Sequence, residues 1–234
     1  MIDILAFAAL PDDAELSCAG TLKAQKKKGY KTGIIDLTRG ELGTRGTAET
    51  RDQEAQISAA ILDLDVRENL DLGDGFFEES KEHLIAIIGV IRKYKPKILL
   101  ANAIRDRHPD HARAAKLVER AAFLSGLVKI KDEYNQKPHR PKIILHYIQD
   151  RWIEPDIVVD ITKHYTQKIE AIKAFKTQFF DPESTEPETP ISGSNFFAYL
   201  DGRAREFGRY AQTEFAEGFT KSKALPIDDL CHFL

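Results

Sequence analysis

The stretch Ile2-Asp3-Ile4-Leu5-Ala6-Phe7-Ala8-Ala9-Leu10-Pro11-Asp12-Asp13 decides the reading of this chain: an apolar run without polar alternation that stops at a proline and two carboxylates. A strand that is apolar on both faces is buried on both faces, which is the situation of a parallel sheet covered by helices. The Pro-Asp-Asp behind it is turn chemistry. Ala14–Lys28 has helical spacing and a basic last turn closed by Gly29, and Lys31–Leu37 reads as a second strand. The opening therefore predicts a βαβ unit.

The same alternation continues outward. Thr38–Ala48, with Gly40, Gly43 and Gly46, predicts a loop, and Thr50–Leu62 an amphipathic helix. Ser80 is the expected cap of a helix that runs to about Tyr94, which Lys95-Pro96 ends before the strand Ile98–Ala101. A loop over Asn102–Pro109 leads to a helix over Asp110–Leu124. Ile143–Ile148 and Ile157–Val159 predict strands, Thr162–Phe179 a helix capped by Thr162, and Asn195–Phe215 a final helix. Between the last two, the proline-rich acidic stretch Asp181–Ser194 predicts a mobile loop, and Leu225–Leu234 shows no periodicity. Strands alternating with helices predict an α/β fold: a Rossmann-like, doubly wound, mainly parallel sheet with helices on both faces, in one domain over residues 1–234.

The 34 basic and 37 acidic residues are dispersed, so no face is built to neutralise a run of phosphates and nucleic acid is not an expected partner. No segment approaches the roughly 20 apolar residues that span a bilayer, and the apolar start has no basic leader or cleavage site, which predicts a cytoplasmic protein without membrane contact. Cys18 and Cys231 are far apart and in no metal-binding or disulfide spacing, so both are expected as reduced thiols.

In open α/β sheets ligands gather beyond the carboxyl ends of the parallel strands. Three polar loops fall there: Pro11-Asp12-Asp13, Thr38 to Gly46, and Arg105-Asp106-Arg107-His108-Pro109-Asp110-His111. An Asp-Asp pair after proline is, read alone, a turn and helix cap, and His-x-x-His is often a surface loop. On one rim they bring two carboxylates to two imidazoles, so that one carboxylate and one imidazole can hold a metal while the others handle protons and charge, the division that metal-assisted hydrolysis needs.

Leu5 to Glu15 followed by Gly20-Thr21 resembles the opening Ala-His-Pro-Asp-Asp motif of PIG-L/LmbE-like N-acetylglucosamine deacetylases, and Arg107-His108-Pro109-Asp110-His111 resembles their second, His-Pro-Asp-His motif. Asp36 to Thr47 with Arg51 and Glu54, and Arg203 to Gly208, look like the branch that removes the acetyl group from N-acetylglucosaminyl malate in bacillithiol biosynthesis. The resemblance implies zinc held by Asp13 and His111, Asp12 as general base, and His108 beside the developing oxyanion or leaving amine. It further implies Asp110 orienting an imidazole, Arg51 and Arg107 holding the substrate, and a homo-oligomer. Position 10, where the family has its first zinc-binding histidine, is Leu10, which has no donor atom. His146 and His164 are the replacements nearest by region. Two readings follow: a zinc hydrolase of a small N-acetylglucosaminide, impaired by Leu10, or a metal-poor relative that keeps the sugar pocket without turnover. A nucleotide-binding module would need a glycine-rich phosphate loop after the first strand, and none is present.

Overall fold

The computed structural model of the chain describes residues 1–179, 181, 183–226 and 229. At its centre lies β1 (Ile4–Ala8), buried along its whole length. Successive side chains of a strand point to opposite faces, and here each face meets its own helices. Leu5 and Phe7 pack among Leu84, Ile87 and Ile91 of α3 (Lys81–Tyr94) and Leu117 and Val118 of α4 (Pro109–Leu124). Ile4, Ala6 and Ala8 pack among Cys18, Ala19 and Leu22 of α1 (Asp13–Lys27) and Ala171 of α5 (Tyr165–Lys173). The absence of polar alternation in β1 is thus explained by helices on both sides.

Strands β2 (Thr32–Asp36), β3 (Val66–Asn69), β4 (Ile98–Ala101) and β5 (Ile143–Tyr147) continue the parallel sheet, while β7 (Ala216–Lys221) runs antiparallel between β5 and β6 (Ile157–Asp160). The order is β3-β2-β1-β4-β5-β7-β6. From β1 the chain builds outward to β3 and then returns to the other side at β4, so the crevice beyond the carboxyl ends of β1 and β4 is the topological switch point, where such sheets bind ligands. Helices α2 (Ala48–Leu62) and α6 (Phe196–Ala211) complete the layers. Among the described residues no helix is long and apolar enough to cross a membrane.

Several elements differ from the sequence expectation. Two strands, β3 and β7, went unread because each carries charge into a buried place. Arg67 on β3 is neutralised by Asp36 and Glu15, and Glu217 on β7 by Lys168 at 2.6 Å. The Glu217 carboxylate also accepts the backbone N–H groups of Gly20 and Thr21, at 3.0 and 2.7 Å, tying β7 and α5 to the middle of α1. The helix expected over Thr162–Phe179 is a 3-10 turn at Thr162–His164 followed by α5, which stops at Lys173. Thr162 caps no helix, because its hydroxyl accepts the Phe215 N–H across the fold. Helix α6 ends at Ala211 rather than Phe215, where Gln212 turns left-handed with φ 54°. In the loop expected over Asp181–Ser194, Glu186 accepts the Gly46 N–H at 2.9 Å. Cys18 is buried; Cys231 and most of the tail Leu225–Leu234 lie outside the described residues.

Candidate active site

The chain leaves β1 and reaches Asp12 in an uncommon backbone state, φ 108° and ψ −25°. A non-glycine residue held there costs on the order of 1–3 kcal/mol and persists only where its surroundings over-determine it. Arg51 of α2 supplies much of that determination. Its guanidinium donates to the Pro11 carbonyl at 2.9 Å, to the Asp12 carboxylate at 3.0 Å and to the Gly40 carbonyl at 2.9 Å. The last contact requires glycine: Gly40 has φ +66°, and a Cβ there would lie 1.7 Å from an Arg51 nitrogen. The glycine-bearing loop after β2 thus fixes the turn after β1.

Asp13 opens α1 and is buried beside Asp12. One of its oxygens accepts the Leu10 N–H at 3.0 Å and the Asn102 amide at 2.9 Å. The other faces His111 Nε2 at 3.1 Å and accepts from Gln149. His111 lies in the first turn of α4, and behind it Nδ1 meets Asp106 at 2.6 Å. Asp106 also accepts the backbone N–H groups of Asp150 and Arg151, so one carboxylate clamps His111 to the segment after β5. His108 caps α4, with its Nδ1 accepting the Asp110 N–H at 3.3 Å, and its ring stacks on His111 at 5.2 Å between centroids. Because Nδ1 accepts, the neutral tautomer of His108 carries its proton on Nε2, free to donate.

Burial sets the charges here. It raises Asp12 to about 8, against the pull of the Arg51 guanidinium. Burial would also raise Asp13, but the His111 charge and the hydrogen bonds from His111, Leu10 and Gln149 outweigh it and hold the group low. For His111, burial works against the cation, yet Asp13 and Asp106 overcome it and lift the imidazole to about 10. His108 moves the other way, lowered by burial and then by the His111 charge, so it is neutral at pH 7. A histidine raised from 6.5 to about 10 by folding stabilises the fold fully below pH 6.5 and loses that contribution as pH rises through 10. The chelated, metal-free protein is therefore expected to lose stability between pH 6.5 and 10. Urea denaturation across that range checks it, and an identical slope in His111→Gln would refute the assignment.

The expected site residues are not all where their roles require. Asp12, Asp13, His108 and His111 converge as expected. Arg51 is buried, with three of its hydrogen bonds spent on Pro11, Asp12 and Gly40, and so shapes the site rather than presenting a free fork to a substrate. Asp110 does not orient an imidazole through its carboxylate, which is taken by the Gly75 N–H and by Arg113; Asp106 performs that task for His111. Arg107 is half-exposed, 3.4 Å from Asp150. Neither replacement histidine reaches the pair. His146 turns its Nδ1 to the Asn102 carbonyl and its Nε2 toward Glu119, and His164 sits near Lys23 and Lys27, toward the far end of a helix roughly 20 Å long. Sequence reasoning missed Asn102, Asp106 and Gln149. Gln149 had a signal: it directly follows the strand expected over Ile143–Ile148, at another carboxyl end of the parallel sheet.

A divalent ion would find Asp13 and His111 correctly presented, since an imidazole backed by a carboxylate is the usual support of a metal-bound histidine. Leu10 offers nothing, and no group of three or more His, Cys, Asp or Glu suited to a metal occurs among the described residues. The polar group beside Asp13 and His111 is the Gln149 amide, whose nitrogen lies 3.4 Å from His111 Nε2.

Comparison with known proteins identifies the fold and the family. The crystal structure of a conserved protein from Thermus thermophilus has the same fold with a TM-score of 0.87, at 33% identity over 97% of this chain and 98% of its own. Diacetylchitobiose deacetylase from Thermococcus kodakarensis is 27% identical over 230 residues, 92% of this chain and 81% of that protein. A 4-oxalmesaconate hydratase from Pseudomonas putida is 25% identical over 181 residues, 68% of this chain and 67% of that protein. Residues 5–122, which carry both aspartate and both histidine positions, match the family PIG-L, GlcNAc-PI de-N-acetylase. This chain belongs to the PIG-L deacetylase family.

Proposed function

We propose that this protein hydrolyses the N-acetyl group of a small N-acetylglucosaminide in a zinc-dependent reaction, with N-acetylglucosaminyl malate as substrate. The observation that carries the reading is Asp12: a buried carboxylate in a strained backbone state, directly beside the Asp13–His111 pair. Strain of that kind clusters at functional sites. Asp13 and His111 would hold the ion, which when bound supplies Lewis acidity toward the acetyl carbonyl and a water of lowered pKa.

The rest is the work of the chain. Asp12 takes the proton of the attacking water, a task suited to a carboxyl lifted toward neutrality by burial. His108 Nε2–H donates to the oxygen that gains negative charge and then to the departing amine. Asp106 and Asn102 act through others, the first by fixing His111 and the second by fixing Asp13. Arg107, half-exposed beside Asp150, offers a guanidinium for the malyl carboxylates.

Leu10 favours a second reading, a metal-poor protein that binds the sugar without turnover. Elemental analysis of protein purified without chelator, together with acetate release from N-acetylglucosaminyl malate, separates the two. About one zinc per chain and a chelator-sensitive release of acetate are expected. Absence of both metal and acetate would leave the binding reading standing. Asp13→Ala is expected to abolish metal retention, and retention at the parental level would remove Asp13 from the ligand set.

A further inference from the structure

We infer that Gln149 is the third metal ligand of this chain, its amide oxygen taking the place of the donor that Leu10 lacks. The inference rests on the reading that Asp13 and His111 hold the ion. The terminal amide nitrogen of Gln149 stands 2.5 Å from Asp13 Oδ1 and 3.4 Å from His111 Nε2, and those two atoms are 3.1 Å apart. The three atoms form a closed triangle. Donors on a tetrahedral ion with bonds of roughly 2.0–2.2 Å are about 3.3–3.6 Å from one another. Two edges are already near that span, and the short edge is a hydrogen bond that opens when an ion replaces the proton between its ends.

Rotation of the amide by half a turn exchanges its nitrogen and oxygen and presents the oxygen to the same corner. The exchange gives up the hydrogen bond that the Gln149 amide nitrogen donates to Asp13 Oδ1, which the ion would replace, and a 3.5 Å contact from Asn102 to the present Gln149 oxygen, while the 2.9 Å bond from Asn102 to Asp13 is untouched. Gln149 is buried and cannot swing into solvent. Its position is also set by the metal-facing histidine: Asp106 grips His111 Nδ1 with one oxygen and the Arg151 N–H with the other, and the Asp150 carbonyl is held by Arg203. The segment after β5 is therefore tied to His111 through the Asp106 carboxylate.

An amide oxygen is a harder and weaker donor than an imidazole, so this set of carboxylate, imidazole and amide favours Mn2+, Fe2+ or Co2+ relative to zinc more than a two-histidine set does. Cobalt(II) titration, read by its visible absorption and by calorimetry, tests this on the parent, Gln149→Ala, Gln149→Glu, Leu10→His and Leu10→His/Gln149→Ala. Gln149→Ala is expected to weaken cobalt binding by about 1,000-fold, beyond the 10–100-fold typical of residues that only support a ligand. Gln149→Glu, which adds charge at the same corner, should tighten it by about tenfold, and Leu10→His should largely rescue Gln149→Ala.

Cobalt affinity unchanged in Gln149→Ala overturns the inference while leaving the metal reading intact. Should Gln149→Ala fail to fold, Gln149→Glu decides, and an affinity equal to or below the parent's overturns it. If neither the parent nor Leu10→His binds cobalt, the assignment of Asp13 and His111 falls, and this inference falls with it.

Discussion

Asp12→Asn is expected to lower kcat for deacetylation by about 10²–10⁴-fold, the range supplied by a positioned general base, with metal content unchanged. The two halves of that result come from one geometry. Asparagine can still accept from Arg51, so the guanidinium keeps a partner 3.0 Å away and the turn between β1 and α1 keeps its support. The neighbouring Asp13 retains Leu10, Asn102, Gln149 and His111. What disappears is the carboxylate that burial has lifted to about 8. Single-turnover acetate release beside elemental analysis is the measurement. Activity within about threefold of the parent would place the base elsewhere, and loss of metal would show that Asp12 is itself a ligand.

Arg51→Ala carries the second large effect, and it separates two roles for one residue. A substrate-holding arginine, as the resemblance implies, would change KM for a carboxylate-bearing substrate and leave the fold alone. In the structure Arg51 is buried against Asp12, which is buried too. Removing Arg51 strips Pro11, Asp12 and Gly40 of three buried hydrogen bonds, at about 1–3 kcal/mol for each group left unpaired, and here it also frees a strained backbone. The expected outcome is a fall in unfolding free energy of that size together with a fall in kcat, because Asp12 no longer holds its direction. Denaturant unfolding and steady-state kinetics on the same preparation decide it. A stable variant with a raised KM alone would restore Arg51 to the substrate.

Much of this was legible in the chain itself. The unbroken apolar run of β1 announced a strand covered on both faces, and the alternation of elements announced the parallel sheet, because burial and period are local properties of sequence. The same logic put Asp12, Asp13, His108 and His111 on one rim, since carboxyl ends of parallel strands share an edge. Leu10 stood out only through the resemblance to the deacetylase motif, which has a histidine at that position. Charged elements were not legible. Nothing in Val66-Arg67-Glu68-Asn69 marks it as a strand until Asp36 and Glu15 are seen to neutralise Arg67, and Glu217 reads as a surface residue until Lys168 meets it. Burial of a charge is decided by its partner, and the partner can be distant in sequence. The same reason hid Asp106, Asn102 and Gln149: a carboxylate or amide becomes a clamp or a ligand only through what stands opposite it. Tertiary structure alone could tie Arg51 to Pro11, Asp12 and Gly40 and bring Gln149 against Asp13 and His111, because both depend on side chains meeting across loops whose spacing no local rule specifies.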